Sequence, residues 1–230
     1  EGQGGPELTE RASLLCTMLL LVLDSPAAFP CVCTLLSSHY FKNFIGGRRS
    51  AVGFSHREWR LRCAEKTLQR ELPELMEHLA ARGISLGHFL PDWLCTLFVC
   101  TLSLDTAARV WDCYLRDGEM FVWRTVLELL RLLSPVLLAE GADNGRTLEV
   151  LCRASNIGGV TEKALFHSLG SNEAAVQGLL DDFRQKLPMP TSESGGVCYD
   201  LWKNTLDVEL VEAERSVAPR AGSRGGSAEP

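Results

Sequence analysis

Residues 90–133, LPDWLCTLFVCTLSLDTAARVWDCYLRDGEMFVWRTVLELLRLL, constrain the fold more than any other part of the chain. Apolar residues recur there at steps of three and four, and strand-type alternation is nearly absent from the whole sequence, so the segment predicts helices that each bury one face. Pro91 opens the first of them, over 92–101. Ser103 is placed to cap the next, and Asp105 falls in its first turn, where a negative charge suits the helix dipole. Within that helix Leu104, Ala108, Trp111 and Leu115 form an apolar stripe. Asp105, Arg109, Asp112 and Arg116 form a stripe of alternating charge at the same spacing, with Arg109 and Asp112 set to pair along the helix face. Gly118 stops the helix, and Met120, Trp123, Leu127 and Leu130 make the buried face of the one that follows.

The flanking sequence extends the same pattern. Thr9 is placed to cap a helix over 9–23, which Asp24-Ser25-Pro26 ends, and a second apolar segment covers 27–40 with Pro30 near its first turn. Residues 46–50, GGRRS, read as an exposed loop. From 56 to 81 the spacing is again helical: Leu68, Leu72, Leu75 and Leu79 share one face, Pro73 breaks the run and Gly83 ends it. Beyond Pro135 the pattern weakens into short helices near 146–153, 161–168 and 173–186. The organisation expected is a flexible start at 1–8, a helical domain at 9–187, a linker at 188–197, an amphipathic helix at 198–216 and a disordered tail at 217–230.

Composition narrows the class. At 46% hydrophobic and 23% charged residues, most of the chain can build a core. A net charge of -6 lacks the basic excess of a duplex-binding surface, which argues against a nucleic-acid partner. The longest apolar run, 14–23, covers ten residues. A bilayer needs about twenty, so no transmembrane segment is expected. Glu1 in place of an initiator methionine suggests a fragment or a processed product.

The nine cysteines lie mostly inside apolar helical runs, and only Cys198 follows a glycine-rich loop. Their odd number and placement predict buried free thiols in a reducing cytosol. Five scattered histidines supply no thiolate partner of the kind a cysteine hydrolase needs. Cys31-x-Cys33 and Cys95-x4-Cys100 sit in hydrophobic helices without the second ligand pair of a zinc site, so no metal is expected. The glycine clusters at 2–5 and 46–47 lack the Gly-Lys-Ser/Thr ending of a phosphate loop. Arg109, Asp112 and Trp111 read as an ion pair and a core anchor rather than as catalytic groups.

Three blocks, in order, carry a family resemblance. Leu75-Met76-Glu77-His78-Leu79 leads through Gly83-Ile84 to Trp93-Leu94-Cys95-Thr96-Leu97-Phe98, and Arg109-Val110-Trp111-Asp112 precedes Gly118. Together they resemble the C-terminal portion of a Rab-GAP TBC domain, over roughly 14–186. The resemblance implies an all-α, multi-helix orthogonal array with Trp93, Arg109, Trp111, Asp112 and Gly118 as structural motif residues. It also implies a GTPase-activating function toward a Rab-family small GTPase in vesicle trafficking, with GTP and magnesium held by the partner and no cofactor in this chain. The location implied is cytoplasmic, with peripheral recruitment to endomembranes through the GTPase.

TBC domains are implied to act by lending an arginine, from an I-x-x-D-x-x-R motif, and a glutamine, from Y-x-Q-G, to the GTPase site. The arginine offsets charge developing on the transferred phosphoryl group and the glutamine orients the attacking water. The chemistry is the GTPase's, so the activator is a regulator rather than an enzyme. No I-x-x-D-x-x-R occurs in the 230 residues, because the family position would precede Glu1. Gln3-Gly4 preserves part of the second motif without its tyrosine, while the register that fits Asp24 puts Glu10 at the glutamine's position. Either a short insertion follows Gln3 or the opening residues lie outside the motif. Three readings stay open: the C-terminal portion of a Rab activator, inactive by itself; a non-catalytic interaction module on a TBC-like scaffold; and an unrelated helical scaffold.

Overall fold

The computed structural model describes residues 5–38, 40–41, 56–139 and 143–171, with no strand among them. The element order is α1 (Gly5–Val22), α2 (Ser25–Ser37), α3 (His56–Glu71), α4 (Pro73–Ala81), α5 (Leu90–Cys95), α6 (Leu104–Asp117), α7 (Glu119–Ala139), α8 (Asn144–Cys152) and α9 (Glu162–Ser171). Single 3-10 turns at Leu86–His88 and Ala154–Asn156 complete it. The expected loop at 46–50, the helices at 173–186 and 198–216, the linker and the tail lie outside the described residues, as do Gln3 and Cys198.

Local chemistry accounts for most boundaries. The first helix begins at Gly5, so Thr9 lies within it and is not its cap. Asp24 separates α1 from α2, and its carboxylate accepts the Ala27 backbone N–H, which shifts α2 earlier than the expected 27–40. Pro30 sits inside α2, where its missing N–H removes one ladder bond without ending the helix. Proline at the first turn starts α4 and α5 alike, where its fixed φ fits and its absent N–H is not missed. Pro135 likewise leaves α7 unbroken to Ala139. Gly83 adopts φ 69° after α4, as a chain reversal there requires.

The segment expected as one helix over 92–101 divides. After α5 the backbone turns through Leu97 (φ 45°) and Phe98 (φ 65°), both bulky residues in the left-handed region and both 0% exposed. Local backbone bonds close the turn: Phe98 N–H donates to the Trp93 carbonyl at 2.8 Å, and Leu102 N–H donates to that of Phe98 at 2.9 Å. Burial of the two side chains offsets a backbone cost of about 1–3 kcal/mol per residue.

The core is organised on α7, which packs against α4, α6, α8 and α9. From Phe121 to Leu130 every side chain but the half-buried Arg124 is buried, so the helix is enclosed nearly all round instead of presenting the single face expected. Polar crosslinks tie its neighbours to it. Arg131 donates to Glu71 of α3 at 3.1 Å and to Glu128 at 2.6 Å, and Arg124 donates to the Leu169 carbonyl at 2.8 Å.

Candidate functional site

The motif residues read from the sequence converge on the packing around α5, α6 and α7. Trp93 is fully buried against Phe89 and Phe98, with ring centroids 5.0 and 5.8 Å away, and its indole N–H donates to the Leu151 carbonyl at 3.0 Å. Trp111 donates to the Leu97 carbonyl at 3.1 Å and so holds the left-handed turn from α6. Each indole thus buries a large apolar ring and satisfies its one polar atom on a backbone carbonyl that no helix ladder uses. Tyr40 reaches the same region, donating its hydroxyl to the Leu94 carbonyl at 3.1 Å.

The cap of α6 is as read from the sequence: the Ser103 hydroxyl accepts the Thr106 N–H at 3.4 Å, and Gly118 ends the helix with φ 76° and ψ -162°. The buried face differs. Thr106, Ala107, Val110, Trp111 and Tyr114 point inward, whereas Leu104 is 51% exposed and Ala108 and Leu115 are only half-buried. The helix is rotated by about one residue from the expected stripe, because Trp111 and Tyr114 have to meet the turn at 97–98 and Tyr40.

Arg109 does not form the expected pair with Asp112. Its guanidinium bonds to Glu162 at the start of α9 and lies over the Phe166 ring, 4.2 Å from the centroid. Leaving helix α6 for α9 gains both a carboxylate and an aromatic face, which an i,i+3 partner on the same helix does not supply. Asp112 stays exposed.

Two ion pairs in this framework are not legible in the sequence. Arg60 of α3 and Glu119 of α7 are each 0% exposed, with Nε–Oε1 at 2.7 Å and Nη2–Oε2 at 3.0 Å, and Trp123 Nε1 donates to Glu119 Oε1 at 3.0 Å. Burial, then the Glu119 charge, pushes the Tyr40 hydroxyl well above its ordinary pKa. Burial likewise holds the Cys63 thiol far above its usual value. On the other side, Arg11 of α1 donates from Nε and Nη2 to Asp92 Oδ1 of α5 at 3.0 and 2.5 Å.

The cysteines correct a further expectation. Those described are free, but only Cys63 and Cys95 are buried; Cys31, Cys33, Cys100 and Cys152 are exposed, and Cys16 and Cys113 are intermediate. Apolar helical context placed them on helices without fixing which face they occupy. Among the described residues, no cluster of His, Cys, Asp and Glu is arranged to hold a metal ion, and no helix is long and apolar enough to cross a membrane.

This helical scaffold coincides with a known domain. Residues 11–138 match the family model of the Rab-GTPase-TBC domain, and the chain belongs to that family. It is 33% identical over 119 residues to Drainin of Dictyostelium discoideum, covering 52% of this chain and 26% of that protein. It is 34% identical over 125 residues to TBC1 domain family member 14 of Bos taurus, covering 54% of this chain and 17% of the relative. Over 74 residues it is 43% identical to TBC1 domain family member 12 of Xenopus tropicalis, 32% of this chain and 11% of that protein. The chain therefore spans about a quarter or less of the length of these relatives. Gln3 precedes the matched residues.

Proposed function

We propose that this chain is the C-terminal portion of a GTPase-activating TBC domain whose partner is a Rab-family small GTPase, with GTP and magnesium bound to that partner. The observation that carries the reading is the match over 11–138, which coincides with the packed helices α1 to α7. The site residues named above then serve as scaffold: Trp93, Trp111 and Gly118 hold the helix crossings, and Arg109 fastens α9 to α6. Cytoplasmic action on endomembranes, through the GTPase, belongs to the same proposal.

The mechanism asks for an arginine that offsets transition-state charge and a glutamine that orients water. The 230 residues hold no I-x-x-D-x-x-R sequence, and Gln3 is the one candidate for the second role. These residues by themselves are therefore expected to give no acceleration of GTP hydrolysis across a panel of Rab proteins. A tenfold rise that disappears in Gln3→Ala would overturn that expectation. A non-catalytic interaction module on the same helical scaffold is the second reading. An I-x-x-D-x-x-R motif encoded upstream of Glu1 supports the activator, and its absence there supports the module.

A further inference from the structure

A groove of about 360 Å³ lies between the middle of α1, α5, the turn at 96–101 and the end of α8. Cys100 and Cys152 both line it, and both are exposed. Their backbones are bonded together close by: Ser155 N–H donates to the Thr101 carbonyl at 2.9 Å, joining the residue after Cys100 to the turn that follows Cys152. Partial burial first, then the charges of Asp92 and Cys100, raise the Cys152 thiol from its ordinary pKa. Around Cys100 Sγ stand Thr96 Oγ1 at 3.2 Å and Thr101 Oγ1 at 3.5 Å. The Thr96 hydroxyl already donates to the Asp92 carbonyl at 2.7 Å, which leaves the Thr101 hydroxyl free to donate to a Cys100 thiolate.

We propose that Cys100 and Cys152 are a redox-modification site, closing to a disulfide that clasps the left-handed turn at 97–98 to the end of α8. The oxidant is a peroxide. The Cys100 thiolate attacks the O–O bond, giving a sulfenic acid and, after protonation, one water. The Cys152 thiolate then displaces the sulfenic oxygen as a second water and forms the S–S bond. Two thiols are oxidised and one hydrogen peroxide is reduced to two waters. The pairing depends on the fold, since 52 positions of sequence separate partners that α8 and the turn bring to one groove. Cys31 and Cys33 are also exposed and lie far closer in sequence, but they share one helix. Neighbours two apart on a helix point to different sides, and their side chains do not face each other.

The test is peroxide oxidation of the folded full chain, alkylation of remaining thiols, non-reducing digestion and mass spectrometry of linked peptides. The expected result is a Cys100–Cys152 peptide pair as the dominant linked species, absent in Cys100→Ser and replaced by scattered pairs when oxidation is done in urea. The proposal is overturned if both cysteines stay alkylatable while others oxidise, or if the folded and urea-treated chains give the same distribution. The wild-type comparison decides the matter even where a variant folds poorly.

Discussion

The Arg60–Glu119 pair gives the most demanding check on the packing described above. Both side chains are 0% exposed, and three donor groups converge on one carboxylate at 2.7–3.0 Å. Two ions in a protein interior each carry a desolvation cost of several kcal/mol, which mutual attraction and good geometry offset. Glu119→Gln keeps the volume and one carbonyl oxygen. It removes the charge and turns an NH2 group toward the guanidinium, so donor meets donor. Breaking a buried pair of this kind costs about 3–5 kcal/mol, a large part of the ~5–15 kcal/mol total of an ordinary domain. Glu119 also begins α7, where a negative charge favours the helix N-terminus, so part of that loss is helix stability. Urea unfolding followed by far-UV circular dichroism and tryptophan fluorescence measures it. The control is Arg146→Ala, whose pair with Glu149 has both side chains about half exposed and is worth no more than ~1 kcal/mol. The double replacement Arg60→Met with Glu119→Leu should recover only part of the loss, because the Trp123 indole N–H then lacks its acceptor and α7 its N-terminal charge. A cost for Glu119→Gln below ~1 kcal/mol at an unchanged denaturant slope would refute the argument.

Two further predictions rest on separate features. Gly118→Ala places a Cβ on a residue at φ 76° and ψ -162°, a region essentially reserved for glycine, and should destabilise by about 1–3 kcal/mol in the same urea assay; no loss would mean the helix end relaxes freely. Raising the pH should weaken the fold. Tyr40 and Cys63 ionise at 10.0 and 9.0 in their ordinary states and well above those values when folded. The unfolded chain therefore releases these protons first, so their contribution is complete below about pH 9 and declines as pH rises further. Thermal melts between pH 8 and 10.5 should show a falling midpoint, less steep in Cys63→Ala once compared with its own midpoint at pH 8. A flat profile in the wild type would contradict the burial of both groups.

The sequence by itself determined the punctuation of this molecule. Ser103 and Gly118 bound α6, Pro73 and Gly83 bound α4, and apolar spacing marked α3, α6 and α7 as helices, because caps and breakers act on φ, ψ and hydrogen bonds within a turn or two. Trp93, Trp111 and Gly118 were legible on the same grounds, and their order in the chain carried the family. Tertiary structure decided what no spacing contains. Arg109 turned from Asp112, three residues away, to Glu162, fifty-three residues away, and Arg60 found Glu119 across fifty-nine. The left-handed turn at Leu97 and Phe98 interrupted a helix that local pattern would have continued, because two buried side chains and the Trp111 indole hold it there. Which face a cysteine presents was settled the same way. Local sequence fixes where a helix starts and stops; its rotation and its ionic partners depend on the free energy of the whole packed core, to which residues distant along the chain contribute as much as neighbours do.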